Sequence, residues 1–246
     1  MPDPVNDASS GKKKISVIHN GPYQVRGGVP LVRKTQVVSE YGEPLTWEKN
    51  GEIEIEAKVY ILCRCGHSKI MPFCDGAHRE SGFDGTEAAE TDGPSDSTFT
   101  YPGGTRLVVT NDPILCMNSG FCRMQNEDIS EIIARSDDTM ARSLAIAMVE
   151  RCPSGALTYK IEEGDVDIEP DYPEQIADTV EITSDGPIEG PLWVTGGIEI
   201  ERSDGKPFLR RNRVTLCKCD LSGIKPLCDG THRTAAEQLA KNRRLN

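Results

Sequence analysis

Residues 63–78 read CRCGHSKIMPFCDGAH, and residues 217–232 read CKCDLSGIKPLCDGTH. Both follow one pattern, in which C-x-C leads through a Ser and a Pro to C-D-G-x-H. Alternate residues of an extended strand face the same side, so the two Cys of C-x-C can converge on one centre. The Asp after the third Cys can cap a helical turn, which would direct the His to the same point. The spacing therefore predicts two equivalent sites.

Each predicted site contains three Cys and one His. The candidate ligands are Cys63, Cys65, Cys74 and His78 in the first copy and Cys217, Cys219, Cys228 and His232 in the second. Three thiolates and an imidazole form a common structural zinc set, but most zinc fingers use two knuckles of the C-x2–4-C or H-x3–5-H type. The spacing alone favours an iron–sulfur cluster and leaves zinc open.

The chain has 9 Cys, an odd number that argues against a complete set of disulfides. Those outside the two copies form a third group, Cys116, Cys122 and Cys152. Bacterial ferredoxins combine C-x2-C-x2-C with a remote C-P, and here Cys152 precedes a Pro while Ser119 stands at the second Cys position. This group predicts a third site between the other two.

The repeated pattern resembles the signature of the CDGSH (NEET) iron–sulfur family. The Ser of that signature is replaced by Ala77 in one copy and Thr231 in the other. The resemblance implies a 2Fe–2S cluster in each copy, held by three thiolates and one imidazole. CDGSH proteins elsewhere are dimers that exchange a strand, so two copies in one chain imply an internal pseudo-dimer within a monomer.

The middle group also resembles a known domain. LCMNSGFC at 115–122 and ERCPSGALTY at 150–159 are similar to the divergent single-cluster ferredoxin domain. The resemblance implies a 3Fe–4S cluster, or a 4Fe–4S cluster whose fourth iron takes Asn118, Ser119 or solvent. The alternative is a degenerate domain whose Cys bind nothing.

The fold class predicted from these segments is α+β, with two small β-rich CDGSH modules as a pseudo-dimer and a ferredoxin-like α+β module. The repeat extends upstream, since GPYQVRGGVPL at Gly21 resembles GPLWVTGGIEI at Gly190. Polar, breaker-rich runs predict linkers. The predicted boundaries are a disordered tail at 1–14, a first module at 15–84, a linker at 85–102, a ferredoxin-like domain at 103–162, a linker at 163–180 and a second module with its tail at 181–246.

The composition limits the classes of function. The net charge of −11 disfavours nucleic-acid binding, because phosphate backbones would be repelled. No apolar run has the length of a membrane span, and the N-terminus does not read as a signal peptide, so we expect a cytoplasmic protein with no membrane partner.

The motifs favour a carrier over a catalyst. The sequence has no nucleophile–base constellation and no nucleotide-binding glycine pattern, so we expect no enzymatic activity. Electron transfer to a protein redox partner is the leading hypothesis. The alternatives are transfer or storage of clusters for apo iron–sulfur proteins, or redox sensing, and, less favoured, a structural zinc module that binds another protein.

Overall fold

The computed structural model describes residues 11–91, 93–124 and 126–245. The strands are β1 (Lys14–Val17), β2 (Tyr23–Arg26), β3 (Leu31–Val38), β4 (Pro44–Ile53), β5 (Tyr60–Leu62), β6 (Phe99–Thr100), β7 (Val108–Asn111), β8 (Leu157–Lys160), β9 (Gln175–Thr183), β10 (Gly186–Thr195), β11 (Glu199–Glu201) and β12 (Arg213–Leu216). The helices are α1 (Ile129–Ala134), α2 (Thr139–Arg151) and α3 (Thr231–Leu245). The α+β class is confirmed.

The two repeats exchange strands. One sheet has the order β11–β1–β2–β5, and the other has the order β12–β10–β9–β3–β4. Strand β11 of the second repeat lies parallel to β1, with Ile200 opposite Ile15. Strand β3 of the first repeat lies parallel to β9, with Leu31 opposite Ile176. The two junctions are equivalent, so the predicted internal pseudo-dimer is confirmed and its basis is reciprocal strand exchange.

A Gly-Gly pair precedes each exchanged strand. Gly27 and Gly196 have φ of 84° and 76°, in the left-handed region that favours glycine. A Cβ at Gly27 would lie 2.7 Å from the carbonyl oxygen of Lys12, and one at Gly196 would lie 2.5 Å from the backbone nitrogen of Glu174. The shared GG therefore lets the chain turn out of its own sheet while passing close to another backbone segment.

A shared core joins the modules. Ile15, Leu31, Ile176 and Ile200 at the strand junctions are buried in one apolar cluster. Tyr23 of the first repeat is also fully buried, and its hydroxyl donates a hydrogen bond of 2.7 Å to the carbonyl oxygen of Cys217. The first repeat thus supports the backbone that carries the second site.

The segment between the repeats forms a separate sheet, β6–β7–β8. Helix α2 packs against β8, and α1 packs against α2. Helix α1 begins after Asp128 and helix α2 begins after Asp138. Asp128 forms a capping box with Glu131, and the Asp138 side chain accepts hydrogen bonds from the backbone of Met140 and Ala141. None of the helices in the described residues has the length and apolar character that crossing a bilayer requires.

Two predicted linkers contain regular structure. The predicted linker at 163–180 was wrong in its last part, because β9 begins at Gln175 and is central to its sheet. Asp178 obscured this strand in the sequence; its buried carboxylate is paired with Arg33 and Lys218. The end of the predicted linker at 85–102 contributes β6 to the middle sheet.

The predictions at the chain ends have different outcomes. Residues 1–10 of the predicted disordered tail lie outside the described residues, and its last residue, Lys14, begins β1. At the other end, the predicted tail of the second module forms α3, which begins at Thr231. Helix α3 therefore includes His232 of the second site.

Candidate metal centres

The first site lies where β5 ends. The Sγ atoms of Cys63 and Cys65 are 3.7 Å apart. The backbone of the returning loop pairs with β5, with Cys63 N donating to Pro72 O at 2.8 Å and Cys74 N donating to Ile61 O at 3.1 Å. Cys74 Sγ lies 3.5 Å from Nδ1 of His78. The loop thus brings a Cys–His pair beside a Cys–Cys pair.

The second site repeats this geometry after β12. The Sγ atoms of Cys217 and Cys219 are 3.6 Å apart, and Cys228 Sγ is 3.5 Å from Nδ1 of His232. Cys217 N donates to Pro226 O at 2.8 Å, the counterpart of the first-site bond. The duplicated pattern therefore encodes duplicated geometry.

An Asp fixes each loop. One oxygen of Asp75 accepts from the backbone of Ala77 at 3.0 Å and the other accepts from Lys69 at 2.9 Å. Asp229 makes the equivalent pair of bonds, to the backbone of Thr231 and Gly223. The Asp of C-D-G-x-H thus holds the turn that presents the His, although the short helical turn of the first copy has Gly76 and not the predicted Asp75 as its N-cap.

The Ser of each loop acts locally. Ser68 Oγ donates to the carbonyl of Phe73 at 2.6 Å, and Ser222 Oγ donates to the carbonyl of Leu227 at 2.7 Å. Both hydroxyls therefore stabilise the turn within their own loop.

The distances within the ligand pairs test whether a metal group fits. Metal–sulfur bonds of about 2.3 Å and metal–nitrogen bonds of about 2.0–2.1 Å around a tetrahedral metal place two sulfurs about 3.7 Å apart, and sulfur and nitrogen about 3.5 Å apart. Both Cys–Cys pairs and both Cys–His pairs have these separations. Each site thus offers two pairs of donors, and each pair is spaced to hold one metal atom. Within the described segments, no group of three or more Cys, His, Asp and Glu has the arrangement for a single ion.

Two thiols of the first site, Cys65 and Cys74, have raised pKa values. Burial raises the pKa of Cys65 to about 11 and also raises the pKa of Cys74. In the second site, burial raises the pKa of Cys228 well above its ordinary value. The Cys219 thiol donates to Cys217, which lowers the pKa of Cys217 to about 6 and raises that of Cys219. Metal binding at these sites must therefore displace protons.

A buried cation separates the two Cys of each C-x-C. Arg64 is 1% exposed, and its Nη2 donates to the carbonyl of Gly85 at 2.8 Å. Lys218 is 2% exposed and is paired with Asp178 and Glu189. Carbonyl oxygens therefore accept hydrogen bonds from the buried Arg64, and carboxylates neutralise the buried Lys218. The sequence analysis missed this feature, although a basic residue between the two Cys in both copies was a readable signal.

The two sites differ in their surroundings. Cys74 and His78 open onto a surface recess that Ile18, Asn20 and Phe83 also line. His232, in contrast, is 8% exposed, and its Nε2 lies 3.3 Å from Oε1 of the fully buried Glu181. The sequence analysis also missed Glu181. The signal was weak, because a Glu in the alternating run DTVEIT reads as facing solvent.

The third group lines one recess of about 540 Å³. Cys116, Cys122 and Cys152 all face it, and burial, followed by the neighbouring thiols, raises the pKa of Cys122 to about 11. Both candidates for a fourth ligand, Asn118 and Ser119, also line this recess. Three thiols around a recess of this size fit a ferredoxin-type cluster with three Cys ligands.

The middle site packs against the second site. Arg233 and Gly230, at the start of α3, line the recess of the three Cys. A Cβ at Gly230 would lie 2.5 Å from the carbonyl oxygen of Met117. The equivalent Gly76 of the first site has nothing within 4 Å. The loop of the middle site is thus in contact with the second site.

This contact makes the two glycines a matched pair for mutation. Both have positive φ, 93° at Gly76 and 82° at Gly230, so Ala costs about 1–2 kcal/mol at either position. Gly230→Ala must also displace the Met117 backbone, so we expect it to lower the free energy of unfolding by at least about 3 kcal/mol. Denaturant unfolding of both variants measures the difference. Equal losses would contradict the contact.

Two groups of three Cys and one His, and a third group of three Cys, have the donor atoms typical of metal-binding proteins. Comparison with known families then gives the particular identity. The family model described as "Iron-binding zinc finger CDGSH type" matches residues 20–79 and 189–233, and the one described as "Divergent 4Fe-4S mono-cluster" matches residues 103–162. The chain is therefore an iron–sulfur protein in which two CDGSH-type domains flank a divergent 4Fe–4S mono-cluster domain. No curated protein and no solved structure matched the chain.

Proposed function

We propose that each CDGSH-type domain binds a 2Fe–2S cluster through three Cys and one His, and that the protein acts in electron transfer. The observation that carries this proposal is the spacing of the donors in two pairs per site, 3.7 and 3.5 Å in the first and 3.6 and 3.5 Å in the second. When bound, such a cluster supplies a one-electron couple, and a neutral imidazole in place of a thiolate raises its potential.

The residues around the sites support this role. Cys63, Cys65, Cys217 and Cys228 are nearly inaccessible, so they would shield a bound cluster from water. Arg64 and Lys218, between the two Cys of each C-x-C, are buried and bonded to other parts of the chain, so they fix the backbone that carries the ligands. Ligands that are largely buried and held by the backbone suit repeated redox cycling.

The middle group completes the proposal. Cys116, Cys122 and Cys152 would hold a 3Fe–4S cluster, or a 4Fe–4S cluster with Asn118, Ser119 or solvent as the fourth ligand. Their convergence on one recess supports a bound cluster over a degenerate domain. Contact between this recess and the second site would place the third cluster within the same chain of carriers.

The proposed setting follows from the same features. We place the protein in the cytoplasm as a monomer, with a protein redox partner and neither nucleic acid nor membrane as a partner. The net charge of −11 supports the exclusion of nucleic acid. The proposed role is that of a carrier, not of an enzyme.

A second function has one specific observation in its favour. Cys74 and His78 of the first site line an open surface recess, where an acceptor protein could reach a cluster. This favours transfer of the first cluster to an apo iron–sulfur protein, with storage and redox sensing as related roles.

Redox cycling in the presence of an acceptor separates the two functions. For electron transfer, we expect the visible spectrum to bleach on reduction and return on reoxidation with iron content unchanged. If iron instead leaves the protein and appears in an added apo-ferredoxin, cluster transfer is the function. Stoichiometric zinc without iron would overturn both.

A further inference from the structure

The hairpin beside the second site has longer strands than the equivalent hairpin of the first repeat. Strands β9 and β10 continue to a turn at Asp185, whereas β1 and β2 are joined by a short turn at 18–22. The added length brings two carboxylates, Glu181 and Glu189, to the second site. Glu189 pairs with Lys218, and Glu181 contacts His232 directly.

The contact between Glu181 and His232 is built into the protein interior. The side chain of Glu181 is fully buried, and its Oε1 lies 3.3 Å from Nε2 of His232. Its other oxygen, Oε2, is paired with Arg233. Gly190 leaves the space for this side chain, since a Cβ there would lie 3.1 Å from Glu181 Cγ. Both oxygens of this buried carboxylate are therefore satisfied, and its position is fixed from two sides.

The geometry also fixes the orientation of the imidazole. Nδ1 of His232 is turned to Cys228 Sγ at 3.5 Å, which leaves Nε2 for Glu181. When Nδ1 binds the metal, Nε2 carries the hydrogen of the neutral ring. This N–H donates a hydrogen bond to the Glu181 carboxylate. A carboxylate behind a ligating His orients the ring and increases its basicity as a ligand.

We propose that Glu181 is the positioning residue of the second site, and that through His232 it makes this site retain its cluster longer than the first. The inference rests on the proposed binding of a cluster at both sites. In the first repeat, Asn20 takes the place of Glu181. Its side chain accepts a hydrogen bond from the backbone of Gly85 and contacts the side chain of His19. Within the residues that the structure describes, no carboxylate contacts the His78 ring.

The test compares iron loss from each site separately in the full chain. Cys63→Ser with Cys74→Ser leaves the second site as the reporter, and Cys217→Ser with Cys228→Ser leaves the first. Ser at Cys116, Cys122 and Cys152 in both backgrounds removes the middle site from the signal. Each cluster-loaded protein is mixed with an excess of iron chelator at neutral pH. Absorbance and released iron are then followed with time.

We expect the second site to lose iron more slowly than the first. Glu181→Ala should speed loss from the second site about 10-fold or more, the usual cost of removing a partner of a metal-ligating His. It should leave the first site unchanged. Glu181→Gln keeps an oxygen that accepts from Nε2, so it should restore most of the retention. Glu199→Ala, on β11 and paired with Lys14, is the matched control and should change neither site.

A spectroscopic readout separates positioning from general stability. The nitrogen hyperfine coupling of the ligating His in the reduced second site should change in Glu181→Ala and return in Glu181→Gln. Circular dichroism will show whether the Ala variant folds. If it does not, the iron-loss rates of the Gln variant and of the two unmodified sites still test the inference. Equal loss from both sites, or an unchanged second site in Glu181→Ala, would overturn the inference. Absence of iron from both sites in the unmodified chain would instead overturn the proposed function.

Discussion

Replacing Cys74 and Cys228 together with Ser is expected to remove the iron of both CDGSH-type domains while the middle site keeps its own. Each substitution removes one member of a Cys–His pair, whose donors lie 3.5 Å apart in both sites. A hydroxyl is a poor replacement for a thiolate that iron selects. Iron per chain and the visible spectrum of the purified variant measure the loss.

The reciprocal variant is the control. Ser at Cys116, Cys122 and Cys152 should remove only the iron of the middle recess and leave the spectrum of the two CDGSH-type domains. If the first variant keeps its full iron content, the Cys–His pairs are not ligands. If the second variant keeps its full iron content, the middle domain is degenerate.

The second large effect concerns the strand exchange. Leu31 lies on β3, in the sheet of the other repeat, and Ile200 is its counterpart on β11. Both are buried in the core that joins the modules. We expect Leu31→Ala and Ile200→Ala each to lower the free energy of unfolding by about 2–5 kcal/mol, the range for truncating a buried aliphatic side chain. Denaturant unfolding followed by far-ultraviolet circular dichroism measures these losses.

Strand exchange also predicts how the protein unfolds. Because each sheet contains a strand of the other repeat, both CDGSH-type domains should unfold in one cooperative transition. Val166→Ala is a matched control at an exposed position, 84% accessible, and should change stability by less than about 0.5 kcal/mol. Two separate transitions, or an Ile200→Ala variant as stable as Val166→Ala, would contradict the exchange.

Local pattern made the ligand geometry predictable. C-x-C at the end of a strand, followed by an Asp that holds a turn, is a local arrangement, so its residues could be paired before the fold was known. Asp75 and Asp229 each hold a turn. The two Cys–Cys pairs and the two Cys–His pairs have the spacing of metal ligands. The duplication likewise predicted a pseudo-dimer.

Features that depend on distant pairing were not predictable. The first part of β9, up to residue 180, lies in the predicted linker. Asp178 interrupts its apolar run, and only the fold shows the cations that pair with this carboxylate. Glu181 reads as a surface residue until the exchanged sheet and α3 enclose it. In both cases a buried charge is stabilised by partners far away in sequence, which a local pattern does not reveal.

Iron and acid-labile sulfide per chain, measured with electron paramagnetic resonance of the reduced and oxidised protein, test the central claim most directly. Two 2Fe–2S clusters predict about four iron and four sulfide, and a third cluster raises iron to about seven or eight. The account predicts the higher value, with two distinguishable signals from the reduced CDGSH-type sites. One zinc per CDGSH-type site, with no acid-labile sulfide, would contradict it.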